Sequence, residues 1–140
     1  MSKKRSKARH FAVQAIYQWQ VAGQNIKDIR NQFVAEQNEK GFELAYFESL
    51  LHGVPAHLDQ LDELLRPYLD RSIESVDPVE RAILRLGAFE LQYHPEVPYK
   101  VIINESVELS KLFGAEQGHK YVNGVLDKLA HQLRESEIKR

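Results

Sequence analysis

The chain has 140 residues, 43% of them hydrophobic, enough for a core of ordinary size. It has no cysteine, which excludes disulfides and thiolate metal sites and suits a reducing, cytoplasmic setting, and no apolar run approaches the roughly 18 residues a membrane-spanning helix needs. The formal net charge of -1 conceals a polarity: residues 1–27 carry six basic and no acidic side chains, and the remaining 113 carry 13 basic and 20 acidic ones, a distribution that points one end at a polyanion.

Helical patterns follow one another along the chain. Arg5 to Val21 contains neither proline nor glycine, and Ala8, Phe11, Ala12, Ala15, Ile16 and Trp19 share one face at 100° per residue. Arg5 and Arg9 stand one turn apart at the edge of that face, and Val13, Tyr17 and Val21 follow each other at i, i+4 and i+8 on another side. Gly23-Gln24-Asn25 makes a turn, after which Ile26, Ile29, Arg30 and Phe33 outline a short helix ended by the polar run Glu36 to Gly41. Phe42 to Leu51 is helical through Leu44, Phe47, Leu50 and Leu51. Gly53-Val54-Pro55 is expected to interrupt it and to place Pro55 in the first turn of the next helix, carried to Pro67 by Leu58, Leu61, Leu64 and Leu65.

Asp77-Pro78-Val79-Glu80 is a helix start, with an N-cap, proline at N1 and glutamate at N3. The helix it opens, to Tyr93, is apolar on two sides and belongs near the middle of a bundle. Pro95 ends it, and Pro98 starts another that runs to about Phe113. Gly114 to Gly118 is a tight connection. Tyr121, Val122, Val125, Leu126, Leu129 and Leu133 form the last apolar stripe, and the polar end from Glu135 is expected to fray. About seven helices without a convincing strand predict an all-α fold in a single domain, 1–140, with residues 1–4 a basic tail and 135–140 a frayed one.

Nothing in the sequence supports a catalytic site, a metal site or a cofactor. The six histidines have no i, i+3 or i, i+4 partner, and no glycine-rich phosphate loop is present. Three binding signals stand out. Lys3, Lys4, Arg5, Lys7 and Arg9 can neutralise phosphates with little regard to sequence. Gln117-Gly118-His119-Lys120-Tyr121 opens a helix whose amides and dipole suit a phosphate; Tyr121 either offers a ring to an unpaired base or simply begins the core stripe. The Val13, Tyr17, Val21 strip either packs inside the bundle or docks a partner, with Glu80 and Arg81 as a charged rim. Glu90 and Asn104-Glu105 are polar groups within apolar faces, best read as satisfying backbone ends or a nearby arginine such as Arg85 or Arg81.

These stretches resemble the NusB family of bacterial transcription antitermination factors over nearly the whole chain. Arg5 to Tyr17 is similar to the family's arginine-rich first helix, and Val79-Glu80-Arg81-Ala82-Ile83-Leu84-Arg85-Leu86 through Phe89-Glu90-Leu91 to its central one. Val97 to Lys111, Phe113, and Tyr121-Val122-Asn123-Gly124-Val125-Leu126-Asp127 carry the most specific likeness. The resemblance implies two small helical sub-bundles, no catalysis, and an RNA-binding adaptor that pairs with the ribosomal protein NusE. The pair would bind boxA RNA of ribosomal RNA operon transcripts and act on the RNA polymerase elongation complex with other Nus factors. It implies RNA contacts at Arg5, Lys7 and Arg9 and at Gln117, His119, Lys120 and Tyr121, and a NusE-facing area at Tyr17, Val21 and Glu80. Gln117 stands where familiar members can be acidic, which should lower the repulsion of phosphate. Ser6 stands where more basic relatives carry arginine, so lysines 3, 4 and 7 rebuild part of that charge. The alternatives are a homodimer that hides the Tyr17 strip against itself, and a stand-alone relative of the RNA-binding domain of ribosomal RNA cytosine methyltransferases.

Overall fold

The structure, a computed structural model, describes residues 3–37 and 39–139, the side chain of Glu39 aside. The first two residues of the expected basic tail and the last residue of the expected frayed tail lie outside them. Eight α-helices, three short 3-10 turns and no strand occur among the described residues. The chain divides into two compact units that meet in sequence between Ala56 and His57, as expected of two helical sub-bundles.

The first unit holds α1 (Lys3–Ala22), α2 (Ile26–Glu36) and α3 (Leu44–Ala56). The absence of helix breakers carries α1 for 20 residues, and Gly23 stops it with a left-handed φ of 66° that few other residues adopt cheaply, its N–H bonded to Trp19 O at 2.9 Å. The Asn25 side chain then caps α2 through the Lys27 N–H, 2.8 Å away. The core is a chain of phenylalanine rings: Phe11 on Phe42 at 5.1 Å, Phe42 on Phe47 at 5.6 Å, Phe47 on Phe33 at 5.8 Å. Such pairs contribute about 0.5–1.5 kcal/mol each beyond burial.

Contrary to expectation, Gly53-Val54-Pro55 does not interrupt α3, which continues to Ala56. Leu50, Leu51 and Val54 are buried, so packing outweighs the weak helix preference of the glycine. Pro55 lies one residue from the helix end, so the cost of its missing N–H is confined to a single i→i−4 bond, to the Leu51 carbonyl, in the last turn.

The second unit holds α4 (Leu58–Leu65), α5 (Pro78–Tyr93), α6 (Tyr99–Phe113), α7 (Gly118–Leu133) and α8 (Glu135–Ile138). Asp77 caps α5 as expected, Oδ1 accepting from the Val79 N–H at 2.8 Å, and every residue from Ala82 to Leu91 is buried. Arg85 on α5 forks onto Asp62 of α4 with two bonds of 2.9 Å in a nearly closed environment. Glu90 is buried too, whereas Asn104 lies in solvent.

The expected fraying after Glu135 is corrected by a long-range staple. Arg134 is buried and donates to the carbonyls of Leu91 (2.9 Å), Val97 (2.9 Å), His94 (3.0 Å) and Glu90 (3.3 Å), and to Glu137 Oε1 (2.6 Å). The other Glu137 oxygen accepts from the Tyr99 N–H at 2.9 Å. One guanidinium thus supplies a donor to Leu91 O and Val97 O, adds a second to Glu90 O and His94 O, which also accept from the His94 and Val97 N–H groups, and its carboxylate partner holds the start of α6. The order of α8 follows from those bonds.

Candidate nucleic-acid interface

Three lysines of α1, Lys3, Lys4 and Lys7, are exposed, and the first turn of α1 has no acidic side chain. The two arginines are placed otherwise. Arg5, part-exposed, donates from Nε to Glu43 Oε2 at 2.8 Å and from Nη2 to Oε1 at 2.9 Å, and its guanidinium stands 4.2 Å from the centre of the Tyr46 ring. Accepting that fork holds the Glu43 carboxyl below its ordinary range and raises Arg5. Arg9 is 2% exposed, 5.2 Å from the same ring. The expectation that Arg9 turns toward a nucleic acid is therefore corrected. Flanked by the buried Ala8 and Ala12, it lies within the apolar face of α1 instead of at its edge, and the Tyr46 ring attracts its charge there. The outward cations of α1 are the lysines, with Arg5 held in an ion pair beside them.

At the start of α7, Gln117 and Lys120 are exposed, and His119 and Tyr121 are half-buried. The Tyr121 hydroxyl accepts from the Asp70 N–H at 3.4 Å, and the Arg71 guanidinium, itself forked onto Asp70 at 2.7 and 2.9 Å, stands 5.3 Å from the Tyr121 ring. The aromatic platform thus comes with a cation already against it. Arg71, Val76, Asp77, Glu80, Gly118 and Tyr121 line a small cavity of about 170 Å³.

Glu80 corrects a second expectation. It is 4% exposed and lies beneath the Gly114–Gly118 connection instead of on a partner-facing rim. A Cβ at Gly118 would sit 2.0 Å from Glu80 Oε1, so any side chain there would force the Glu80 carboxyl out of its place beneath this backbone. The carboxyl accepts from the Ala115 backbone and shares a hydrogen bond with Asp77.

Burial, aided by Asp77, pushes Glu80 above the ordinary carboxylate range. Burial works to raise Asp77 as well, but hydrogen bonds from Glu80 and from the Val79 and Glu80 backbone outweigh it and hold Asp77 low. A raised folded pKa gives stability that is complete below the unfolded value and is lost as pH rises through the folded one. Glu80→Gln, which does not titrate, should therefore gain stability relative to the natural chain as pH rises above the ordinary glutamate value of about 4, read from urea midpoints. A relative loss would mean that the folded protein favours ionised Glu80.

The strip on α1 is graded. Val13 is 2% exposed, Tyr17 40% and Val21 58%. Placing Val13 on a partner surface is corrected by helix geometry: residues four apart drift by about 40°, so a line through Val13 and Tyr17 turns from core to solvent by Val21. Tyr17, Val21 and Leu112 are the large apolar side chains exposed among the described residues. Arg81 is half-buried, with Nη1 donating to Glu74 O at 3.3 Å.

Sequence reading missed Glu43, Tyr46, Asp70 and Arg71. Glu43 and Tyr46 lie far along the chain from Arg5 and Arg9, as Asp70 and Arg71 do from Tyr121, and no local pattern marks them. No group of three or more His, Asp or Glu side chains able to hold a metal occurs among the described residues, and none of their helices is long and apolar enough to cross a membrane.

Fold and surface together define a class: an all-helical protein whose first helix carries an outward row of lysines and, further along, an exposed tyrosine and valine. The chain belongs to the NusB family, whose profile matches residues 6–131. It is 55% identical over 139 residues to a transcription antitermination protein NusB of Nitrosococcus oceani, covering 99% of this chain and 93% of that one. Its identity to the NusB protein of Shewanella piezotolerans is 58% over 130 residues, covering 93% and 96%. Among solved structures it resembles T. maritima NusB, with a TM-score of 0.85, 25% identity and 100% coverage of both chains. It also resembles a chain in a crystal structure of antitermination factors NusB and NusE with dsRNA, with a TM-score of 0.82, 29% identity and coverage of 92% and 97%.

Proposed function

We propose that this protein is a non-catalytic RNA-binding adaptor of transcription antitermination. It pairs with NusE, binds boxA RNA in ribosomal RNA operon transcripts, and works in the cytoplasm on the RNA polymerase elongation complex with other Nus factors. The whole chain serves as one NusB-like RNA-binding domain. Lys3, Lys4, Lys7 and the Arg5 fork supply the RNA contacts of α1, and Gln117, His119, Lys120 and Tyr121 those of α7. Tyr17 and Val21 are the docking residues for NusE.

The observation that carries this reading is the make-up of α1: exposed lysines toward one end and an exposed tyrosine and valine toward the other. Membership of the NusB family and the likeness to a NusB–NusE–RNA structure support it. Arg9 acts from inside, holding Tyr46 under Arg5.

The test is the salt dependence of RNA binding. Each lysine that neutralises a phosphate of single-stranded RNA contributes about 0.7 to the slope of log affinity against log salt. Replacing Lys3, Lys4 and Lys7 together by glutamine should flatten that slope by about 2 and weaken binding most at low salt. An unchanged slope would remove α1 from the RNA interface.

A further inference from the structure

We propose that Glu43 sets the RNA affinity of α1: without RNA its carboxylate occupies the Arg5 fork in place of a phosphate, and RNA must displace it to bind. The inference rests on the RNA reading above. Two near-parallel bonds of 2.8 and 2.9 Å join the Arg5 fork to both Glu43 oxygens, the arrangement by which an arginine takes two oxygens of a phosphate. The carboxylate is therefore a tethered competitor with the geometry of the ligand.

Three features make the exchange feasible. The pair stays in reach of solvent, with Arg5 31% and Glu43 37% exposed, whereas the similarly forked Arg85–Asp62 pair, 9% and 17% exposed, is closed and structural. Pairs in reach of solvent typically contribute about 0.2–1 kcal/mol, so a phosphate already attracted by Lys3, Lys4 and Lys7 can take the fork over. Finally, only the Glu43 side chain has to move. Its backbone is fixed at the start of α3, the N–H on Lys4 O and the carbonyl accepting from the Phe47 N–H, both at 3.0 Å. Tyr46, buried beside the guanidinium, keeps Arg5 in place whichever anion sits in the fork.

The test is anisotropy of a labelled boxA RNA titrated with the full chain and with Glu43→Gln, Glu48→Gln, Arg5→Gln and the Arg5→Gln/Glu43→Gln double variant. Glu48 pairs with Arg30 at 2.9 Å at similar exposure, so its variant removes the same charge elsewhere in the unit. Glu43→Gln should bind RNA about two- to fivefold more tightly, the gain expected from removing a competing exposed pair. Glu48→Gln should bind as the natural chain does, and the gain should vanish when Arg5 is also replaced. Weaker or unchanged binding by Glu43→Gln would overturn the proposal, as would an equal gain from Glu48→Gln or a gain that survives without Arg5. If the natural chain binds no RNA, the RNA reading itself has failed. If it binds and Glu43→Gln is no tighter, only this proposal has failed.

Discussion

Arg134→Ala should destabilise the second unit by roughly 3–5 kcal/mol, the largest loss expected from any single truncation outside the apolar core. The guanidinium makes five hydrogen bonds, four of them to carbonyls near the end of α5 and the start of α6. Truncation takes from Leu91 O and Val97 O their buried donor, whereas Glu90 O and His94 O keep the N–H bonds of His94 and Val97, and Glu137 loses the cation that orients it toward the Tyr99 N–H. Arg134→Lys should recover only part of the loss, because one ammonium cannot reach carbonyls spread around a planar fork. Urea unfolding followed by circular dichroism measures both. A loss below about 1 kcal/mol for the alanine variant would mean that water replaces the guanidinium without strain.

Tyr17→Asp should lower affinity for NusE at least about a hundredfold while leaving the fold intact. At 40% exposure, Tyr17 contributes little to its own unit's core, so the melting curve should shift by less than about 1 kcal/mol in stability. In a partner interface the same change replaces an aromatic anchor by a carboxylate that must be stripped of water. Calorimetric titration of NusE into the variant separates the two effects. Unchanged affinity would move the partner to another face.

Much of the fold is legible in the sequence because helix periodicity and helix ends are local. The stripe of α7, the Asp77-Pro78 start of α5 and the turn at Gly23 each rest on residues within a few positions of one another. What escapes is long-range. Arg9 reads as surface by type, yet its aliphatic stem packs like an apolar side chain and its charge finds Tyr46, 37 positions later. Glu80 completes an N-terminal capping pattern, but its carboxyl turns under glycines more than 30 residues away. Pro55 reads as a break, and packing of Leu51 and Val54 overrides it. The lysines and Tyr17 of the candidate site are legible from charge and spacing; the Glu43 carboxylate that holds Arg5 is not, because no sequence pattern links positions 5 and 43.

The most direct test of the central claim, that one helix engages RNA and a second protein together, is to titrate labelled boxA RNA with the chain in the presence and absence of saturating NusE. Joint engagement predicts a ternary complex in which NusE tightens RNA binding and, by linkage, RNA tightens NusE binding by the same factor. Release of the RNA as NusE is added would show that the two compete for α1 and would contradict the account.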